Sequence, residues 1–437
     1  MTFQNGYGTK FQNSRIDSGG KEKDMSQSIQ PSTQQQNSNQ QDNNETGQRW
    51  FPTWTQAMSD NSKEDDEPGF DNVTVRMTVP ASIGGDQIRL EMSNRFGKEP
   101  VRIGRCAVRV GEQSRTVTFS GQPSVEIAAG ASTWSDPVEL AVHHADNVSI
   151  DVYLPEPTPY VTAGGFRFDR SEPGDYAGAD DFPLQGSLKA ADESREFPAT
   201  NTETDGTGWS LAVGGPYLRT VEVSGTEPQA VVVCLGGSST ALGWPQEAAA
   251  QLPAAAKIAV VNRGIAGNRV RLDAPEQTPS WGLSGLSRFD DDVLGTAGAT
   301  HLVIAYNSND WGLPGRVTSI DEMPTLDQLI DGYQQLINRA EAAGLTVILA
   351  TVTPLAPEMA DDALREGLRC GLNDWIRNTG HPVADFDAAI RNQANPKALD
   401  PRYAAPDFTH PGANGLKRLG QVMIEVLGQL GLQVTID

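Results

Sequence analysis

The spacing of apolar residues changes twice along the chain. Residues 1 to about 47 are rich in Gln, Asn, Ser and Gly and nearly free of large apolar groups. Such a segment cannot bury enough surface to offset the entropy of ordering it, which predicts a disordered tail over 1–47. From Trp50 to about Val223 the period is two. Val73, Val75, Met77 and Val79 alternate with Thr74, Arg76 and Thr78, and the pattern returns at Ile88, Leu90 and Met92 and at Val148, Ile150, Val152 and Leu154. Shorter runs lie at Val117–Phe119, Val125–Ile127 and Val138–Val142, with turn residues at Gly84-Gly85, Asn94–Gly97, Gly121 and Gly130. Alternation turns every second side chain to one face, so these short strands predict an antiparallel, jelly-roll-like β-sandwich over 48–226. The polar, acidic stretch 170–208 reads as a long surface loop.

After Pro228 apolar runs alternate with helical spacing. The strands expected are Ala230–Leu235, Ile258–Val261, Leu302–Tyr306, Val347–Thr351 and Val383–Phe386. Leu326, Leu329, Ile330, Tyr333, Leu336, Ile337 and Ala340 share one helical face. Leu364, Leu368, Leu372, Trp375 and Ile376 define a second helix, and Leu416, Leu419, Val422, Met423, Val426 and Leu430 a third. Fully apolar strands alternating with helices predict an α/β fold over 227–437: a doubly wound parallel sheet covered on both faces.

Charge narrows the function. The 437 residues carry 34 Lys+Arg against 56 Asp+Glu, a formal net charge of −22. That balance excludes a sequence-independent nucleic-acid binder, which needs a basic surface, and argues against anionic membranes and polyanionic substrates. No run approaches the ~20 apolar residues of a membrane span. Neither Met1 nor Met25 opens a basic start followed by an apolar stretch, so the expected location is the cytoplasm, or outside the cell if the start is mis-assigned. Cys106, Cys234 and Cys370 are odd in number and far apart, which is neither a disulfide framework nor a zinc site. His143-His144 has no ligand cluster around it, and no metal or cofactor is expected. Nothing in the sequence specifies an oligomeric state.

Ligands of open α/β sheets bind at the carboxyl ends of the strands. The segments there are Gly236-Gly237-Ser238-Ser239-Thr240, then Asn262-Arg263-Gly264-Ile265-Ala266-Gly267-Asn268, then Asn307-Ser308-Asn309-Asp310. Asp407-Phe408-Thr409-His410-Pro411 precedes the last helix. Each offers a group suited to acyl transfer. Ser238 is a hydroxyl on a tight turn, Gly267 lets a backbone N–H approach a substrate, and Asn309 supplies an amide donor. His410 can take a proton and Asp407 can orient it. Taken singly, each also has a plain structural reading. Ser239 or Thr240 can cap a helix, Asn309 and Gly267 can serve turns, and His410 can simply begin a helix beside Pro411. Asp385 and Asp387 read as structural, with either a fallback orienting carboxylate.

These blocks, in this order and each at a strand end, resemble the SGNH (GDSL-like) hydrolase family. NRGIAGNRV, GLSGLSRFDDDVLG, REGLRCGLNDWIR, VADFDAAIR and DFTHPGANGLKRLG extend the likeness over residues 229–437. RWFPTWTQA and IRLEMSNRFG resemble the N-terminal β-sandwich of some bacterial members. The resemblance implies a flavodoxin-like SGNH domain. It also implies Ser238 as nucleophile, His410 as general base and then acid, and Asp407 as its orienter. The Ser238 and Gly267 N–H groups and the Asn309 side chain would form the oxyanion hole. The implied partner is a small-molecule or carbohydrate ester, its acyl group a short one such as acetyl. Two positions depart from the family: its Asp before the nucleophile is Gly237, and the Gly opening its third block is Asn307. They leave open altered specificity, reduced activity, or an inactive scaffold that only binds. Asn307 is expected to narrow the pocket or to adopt a left-handed backbone, and Trp311 to face the substrate.

Overall fold

The computed structural model describes residues 47–63, 69–165, 167–185 and 214–435. The expected tail up to residue 46, and 186–208 of the expected acidic loop, lie outside the described residues. The first part of the chain forms two main antiparallel sheets. One runs in the order Trp50–Thr55, Leu218–Ser224, Gly85–Ser93, Val138–Val142, and the other Asp169–Pro173, Val73–Pro80, Asn147–Leu154, Arg105–Val110, Gln113–Val117. The alternating residues Val75, Met77, Val79, Ile88, Leu90, Met92, Val148, Ile150 and Val152 all join one buried apolar cluster. The expectation of an irregular stretch from residue 170 fails at its start. Asp169–Pro173 pairs antiparallel with Val73–Pro80, with Asp169 opposite Arg76. This edge strand has no apolar alternation to announce it; Ser171 Oγ accepts the Thr74 N–H at 2.9 Å instead.

The second part is a five-stranded parallel sheet in the order Ile258–Gly264, Ala230–Gly236, His301–Ala305, Thr346–Ala350, Val383–Ala384. Numbered along the chain that order is 2-1-3-4-5, the flavodoxin-like arrangement, whose crevice opens between strands one and three. Successive residues of the first strand face opposite cores. Val232 and Cys234 pack with Trp244, Ala248, Leu419 and Met423, while Val233 and Leu235 pack with Leu329, Tyr333, Leu336 and Leu372. The helices Leu326–Ala342 and Ala363–Asn378 therefore cover one face, and Trp244–Gln251 and Ala413–Gln429 the other. The first of these starts at a capping box in which the Thr325 hydroxyl accepts the Gln328 N–H and the Gln328 side chain returns to the Thr325 N–H. The expected strand Val383–Phe386 stops at Ala384, because the Asp385 carboxylate caps a helix that begins at Phe386.

The two parts share one interior. Val231 and Ala259 of the parallel sheet belong to the sandwich core. The seam is also hydrogen-bonded: the Thr55 hydroxyl donates to the Asn262 carbonyl at 2.8 Å, Arg263 donates to the Gln56 carbonyl at 2.6 Å, and the Ser82 hydroxyl accepts the Val260 N–H at 2.8 Å. Ile304, on the central strand, is fully buried. Its truncation to Ala should cost about 2–5 kcal/mol of stability, read from the denaturant midpoint, because the rigid sheet cannot collapse into the void.

Candidate active site

Ser238 opens a single helical turn directly after the first parallel strand. Two contacts make that turn tight. A Cβ on Gly236 would lie 2.2 Å from Thr240 Oγ1 and 2.3 Å from the Ala305 carbonyl, so only glycine fits. The Thr240 hydroxyl then donates to that carbonyl at 3.0 Å, tying the turn to the third strand. Asn262 donates to the Thr240 carbonyl at 2.7 Å and ties it to the second. Neither Ser239 nor Thr240 caps the helix; the cap position is Gly237, without a side-chain bond.

His410 reaches this turn from 172 residues away. Its Nε2 lies 2.9 Å from Ser238 Oγ, and its Nδ1 lies 2.6 Å from Asp407 Oδ2. The other Asp407 oxygen accepts the Thr409 and His410 N–H groups at 2.9 and 3.0 Å, so the carboxylate also shapes the loop that presents the ring. Phe408, between them, takes a positive φ of 53° and is exposed. Partial burial works to raise the Asp407 carboxyl. The hydrogen bond and charge of His410, with the two backbone N–H groups, outweigh it and hold the group below the ordinary carboxylate range. Serine, imidazole and carboxylate thus stand in the relay that lets a hydroxyl lose its proton on attack.

The two remaining loops arrive at the same turn. An ideal Cβ on Gly237 would lie 3.4 Å from Asn309 Nδ2 and 3.6 Å from the Asn268 carbonyl. Asn309 donates one amide hydrogen to that carbonyl at 2.9 Å, which leaves the second for a ligand. Asp310 is buried and accepts the Val270 and Arg271 N–H groups at 2.7 and 3.1 Å, docking the Gly267 loop against the third strand's end. Burial pushes the Asp310 carboxyl above its ordinary range, although those N–H bonds oppose the shift. Gly267 has φ 73°, and a Cβ there would lie 2.4 Å from the Trp281 ring, so conformation and contact both require glycine. Among the described residues, the Ser238 and Gly267 N–H groups have no protein acceptor. A carbonyl oxygen gaining charge beside Ser238 would meet such donors.

The positions that depart from the family pattern compensate each other. An ideal Cβ on Gly237 would lie 2.9 Å from Asn307 Oδ1. The Asn307 side chain therefore fills the space beside the turn that Gly237 leaves empty. It donates to the Ser239 hydroxyl at 2.8 Å and accepts the Ser239 N–H at 3.3 Å. Its backbone is not left-handed. Trp311 corrects another expectation: it is 1% exposed, packed in the core with Tyr306, Leu329 and Met359, and does not face the opening. The half-buried Trp281 lies against Gly267 instead.

Asp385 and Asp387 are held elsewhere, by Arg377 and by Arg369, Arg377 and Arg391. His143 and His144 bond separately to Asp146 and to the Ser82 carbonyl. Among the described residues no His, Cys, Asp or Glu group is arranged to hold a metal ion, and no helix is long and apolar enough to cross a membrane. The motif reading passed over Asn262, Asn268 and Arg288, which join these loops to one another; two lie in NRGIAGNRV and one in GLSGLSRFDDDVLG, text already singled out as similar to the family.

On a flavodoxin-like sheet the chain thus brings together a serine turn, an imidazole–carboxylate pair and loops with amide hydrogens to spare. Residues 204–418 match the GDSL-like lipase/acylhydrolase family, and the chain carries a domain of that family. No curated protein matched. Similar solved structures include an acetylxylan esterase of Geobacillus stearothermophilus, at 20% identity and TM-score 0.36, covering 46% of this chain and 95% of that one. A carbohydrate acetylesterase of Sinorhizobium meliloti matches at 16% identity and TM-score 0.35 over 46% and 100%. A GDSL-like lipase of Bacteroides thetaiotaomicron matches at 20% and 0.35 over 46% and 88%. The compensation between positions 237 and 307 is testable by fluorophosphonate labelling of Ser238. Gly237→Asp alone should slow labelling about tenfold or more by crowding Asn307, since even ~1 Å of displacement can cost about 10²-fold. Adding Asn307→Gly should restore most of the rate.

Proposed function

We propose that this protein is a serine esterase that hydrolyses small acyl esters, acetyl esters first among them, with carbohydrate acetates as a fitting substrate class. The observation that carries the reading is the chain of contacts from Asp407 through His410 to Ser238, at 2.6 and 2.9 Å. In the proposed mechanism Ser238 Oγ attacks the ester carbonyl as His410 Nε2 takes its proton. Asp407 holds the ring in the tautomer that leaves Nε2 free and stabilises the imidazolium. The Ser238 and Gly267 N–H groups and the Asn309 amide stabilise the oxyanion, which develops only during attack. His410 then protonates the leaving alcohol, and a water deprotonated by the same ring releases the acid. The side chains of Asn307 and Trp281 crowd this cradle and favour a short acyl chain.

Ser238→Ala should abolish hydrolysis of p-nitrophenyl acetate; equal rates in variant and wild type would end the proposal. A non-catalytic binding scaffold would instead give no turnover and no fluorophosphonate adduct in the wild type. Asp407→Asn should lower kcat by about 10³- to 10⁴-fold, because the orienting charge is lost. The pH profile of kcat/KM gives a separate check. His410 must be neutral to accept the serine proton, and Asp407 remains ionised below the ordinary carboxylate range. Activity should therefore be lost on acidification, and a rate independent of pH would contradict the role of His410 as base.

A further inference from the structure

We propose that the β-sandwich is a working part of this site: its Arg219 fixes Asp292, Asp292 fixes the buried Arg288, and Arg288 holds together the strand ends that carry Ser238 and Gly267. The inference rests on the esterase reading for its consequence, but its geometry stands alone.

Arg288 sits on the short helix Gly285–Phe289, 3% exposed. Its guanidinium meets acceptors on every side. Nη1 donates to the Arg263 carbonyl at 2.6 Å and to Asp292 Oδ2 at 2.7 Å. Nη2 donates to the Gly236 carbonyl at 3.1 Å and lies 3.3 Å from the Tyr306 hydroxyl. Nε and Nη2 both reach Asn268 Oδ1, at 3.2 and 3.0 Å. Gly236 precedes the Gly237-Ser238 turn, Arg263 is the last residue but one of the second strand, and Tyr306 follows the third. Asn268 follows Gly267, and its carbonyl is the one that orients the Asn309 amide. One planar cation thus touches the ends of three strands immediately behind the oxyanion cradle. A lysine could not replace it, because a single ammonium cannot span acceptors set around a fixed fork.

The cation is not held by its own domain alone. Asp292, 3% exposed, is paired on one side with Arg288 and on the other with Arg219 Nη2 at 3.5 Å. Arg219 belongs to the sandwich strand Leu218–Ser224. It also donates to the Asp291 carbonyl at 2.8 Å and to Glu91 Oε1 at 2.9 Å, while the Thr220 hydroxyl donates to Glu91 Oε2 at 2.7 Å. Charges this deeply buried are tolerated only when each is paired in good geometry. Loosening Arg219 therefore leaves Asp292 undercompensated and free to pull Arg288 away from the strand ends. Arg219, Asp292 and Arg288 act through other groups and are positioning residues.

The test uses the full chain. Arg219→Lys keeps the charge but loses the fork, and Glu91→Gln keeps the shape but weakens the anchor of Arg219. In variants whose melting is still cooperative, kcat on p-nitrophenyl acetate should fall about 2- to 30-fold with KM unchanged, the span of couplings carried through packed networks. Affinity for a phenylboronic acid, whose tetrahedral adduct on Ser238 uses the same cradle, should fall by the same factor. The shape of the pH–rate profile should not change. Hydrogen exchange read by mass spectrometry should show faster exchange in segments 236–241 and 264–272. A folded variant with unchanged kcat and unchanged exchange in both segments overturns the inference. The exchange readout does not depend on turnover, so an inactive wild type would remove the esterase reading without deciding this one. If Arg219→Lys fails to fold, Glu91→Gln carries the same expectations.

Discussion

The arrangement depends on parallel strands ending together on one edge. Ser238 and His410 are 172 residues apart, and their contact at 2.9 Å exists because the loop before the last helix returns to the carboxyl edge of the sheet. In the 2-1-3-4-5 order the first and third strands are neighbours whose following segments diverge to opposite faces, and the gap between them admits a ligand. The first three strands are followed by different chemical groups and the loop before the last helix adds another, so one sheet edge presents a hydroxyl, an imidazole and several amide hydrogens to the same small volume. Apolar packing on both faces keeps that edge rigid, which matters because acyl transfer tolerates little error in position.

Close approach governs the residues around the turn. Gly236 is confined by Thr240 and the Ala305 carbonyl, Gly237 by Asn307, and Gly267 by the Trp281 ring. The exchange of small and polar residues between positions 237 and 307 keeps that space filled. The amide that bonds Ser239 comes from the third loop, at a position where the family has glycine.

The interior behind the site is ionic, unlike the apolar cores on either side. Arg219, Arg263 and Arg288 share it with Glu91 and Asp292, each buried. Burial and the neighbouring cations push Arg263 down to about 10, while Asp292 is held below the ordinary carboxylate range because the surrounding arginines outweigh its desolvation. A group of this kind contributes less to net stability than apolar packing would, since desolvation offsets most of the attraction. What it adds is direction: hydrogen bonds to named carbonyls fix where strand ends sit, which apolar contacts do only loosely.

Local periodicity was legible in most of the strands and helices. The two-residue alternation at Val73–Val79 marks a half-covered sheet, the unbroken apolar runs at Ala230–Leu235 and Leu302–Ala305 mark buried parallel strands, and the heptad-like spacing from Leu326 marks a helix. The groups Ser238, Gly267, Asn309, Asp407 and His410 could be read as candidates because each lies at a strand end or just before a helix. Spacing along a chain does not report which distant residues meet. Only the tertiary structure turned Trp311 into the core and left Trp281 against Gly267. The same packing seated Asn307 beside Gly237, joined Asp169–Pro173 to a sheet with no alternation to reveal it, and placed Arg288 behind three strand ends. Those outcomes depend on volumes and hydrogen-bond partners contributed by segments far apart in sequence, and such partners exist only once the chain has packed.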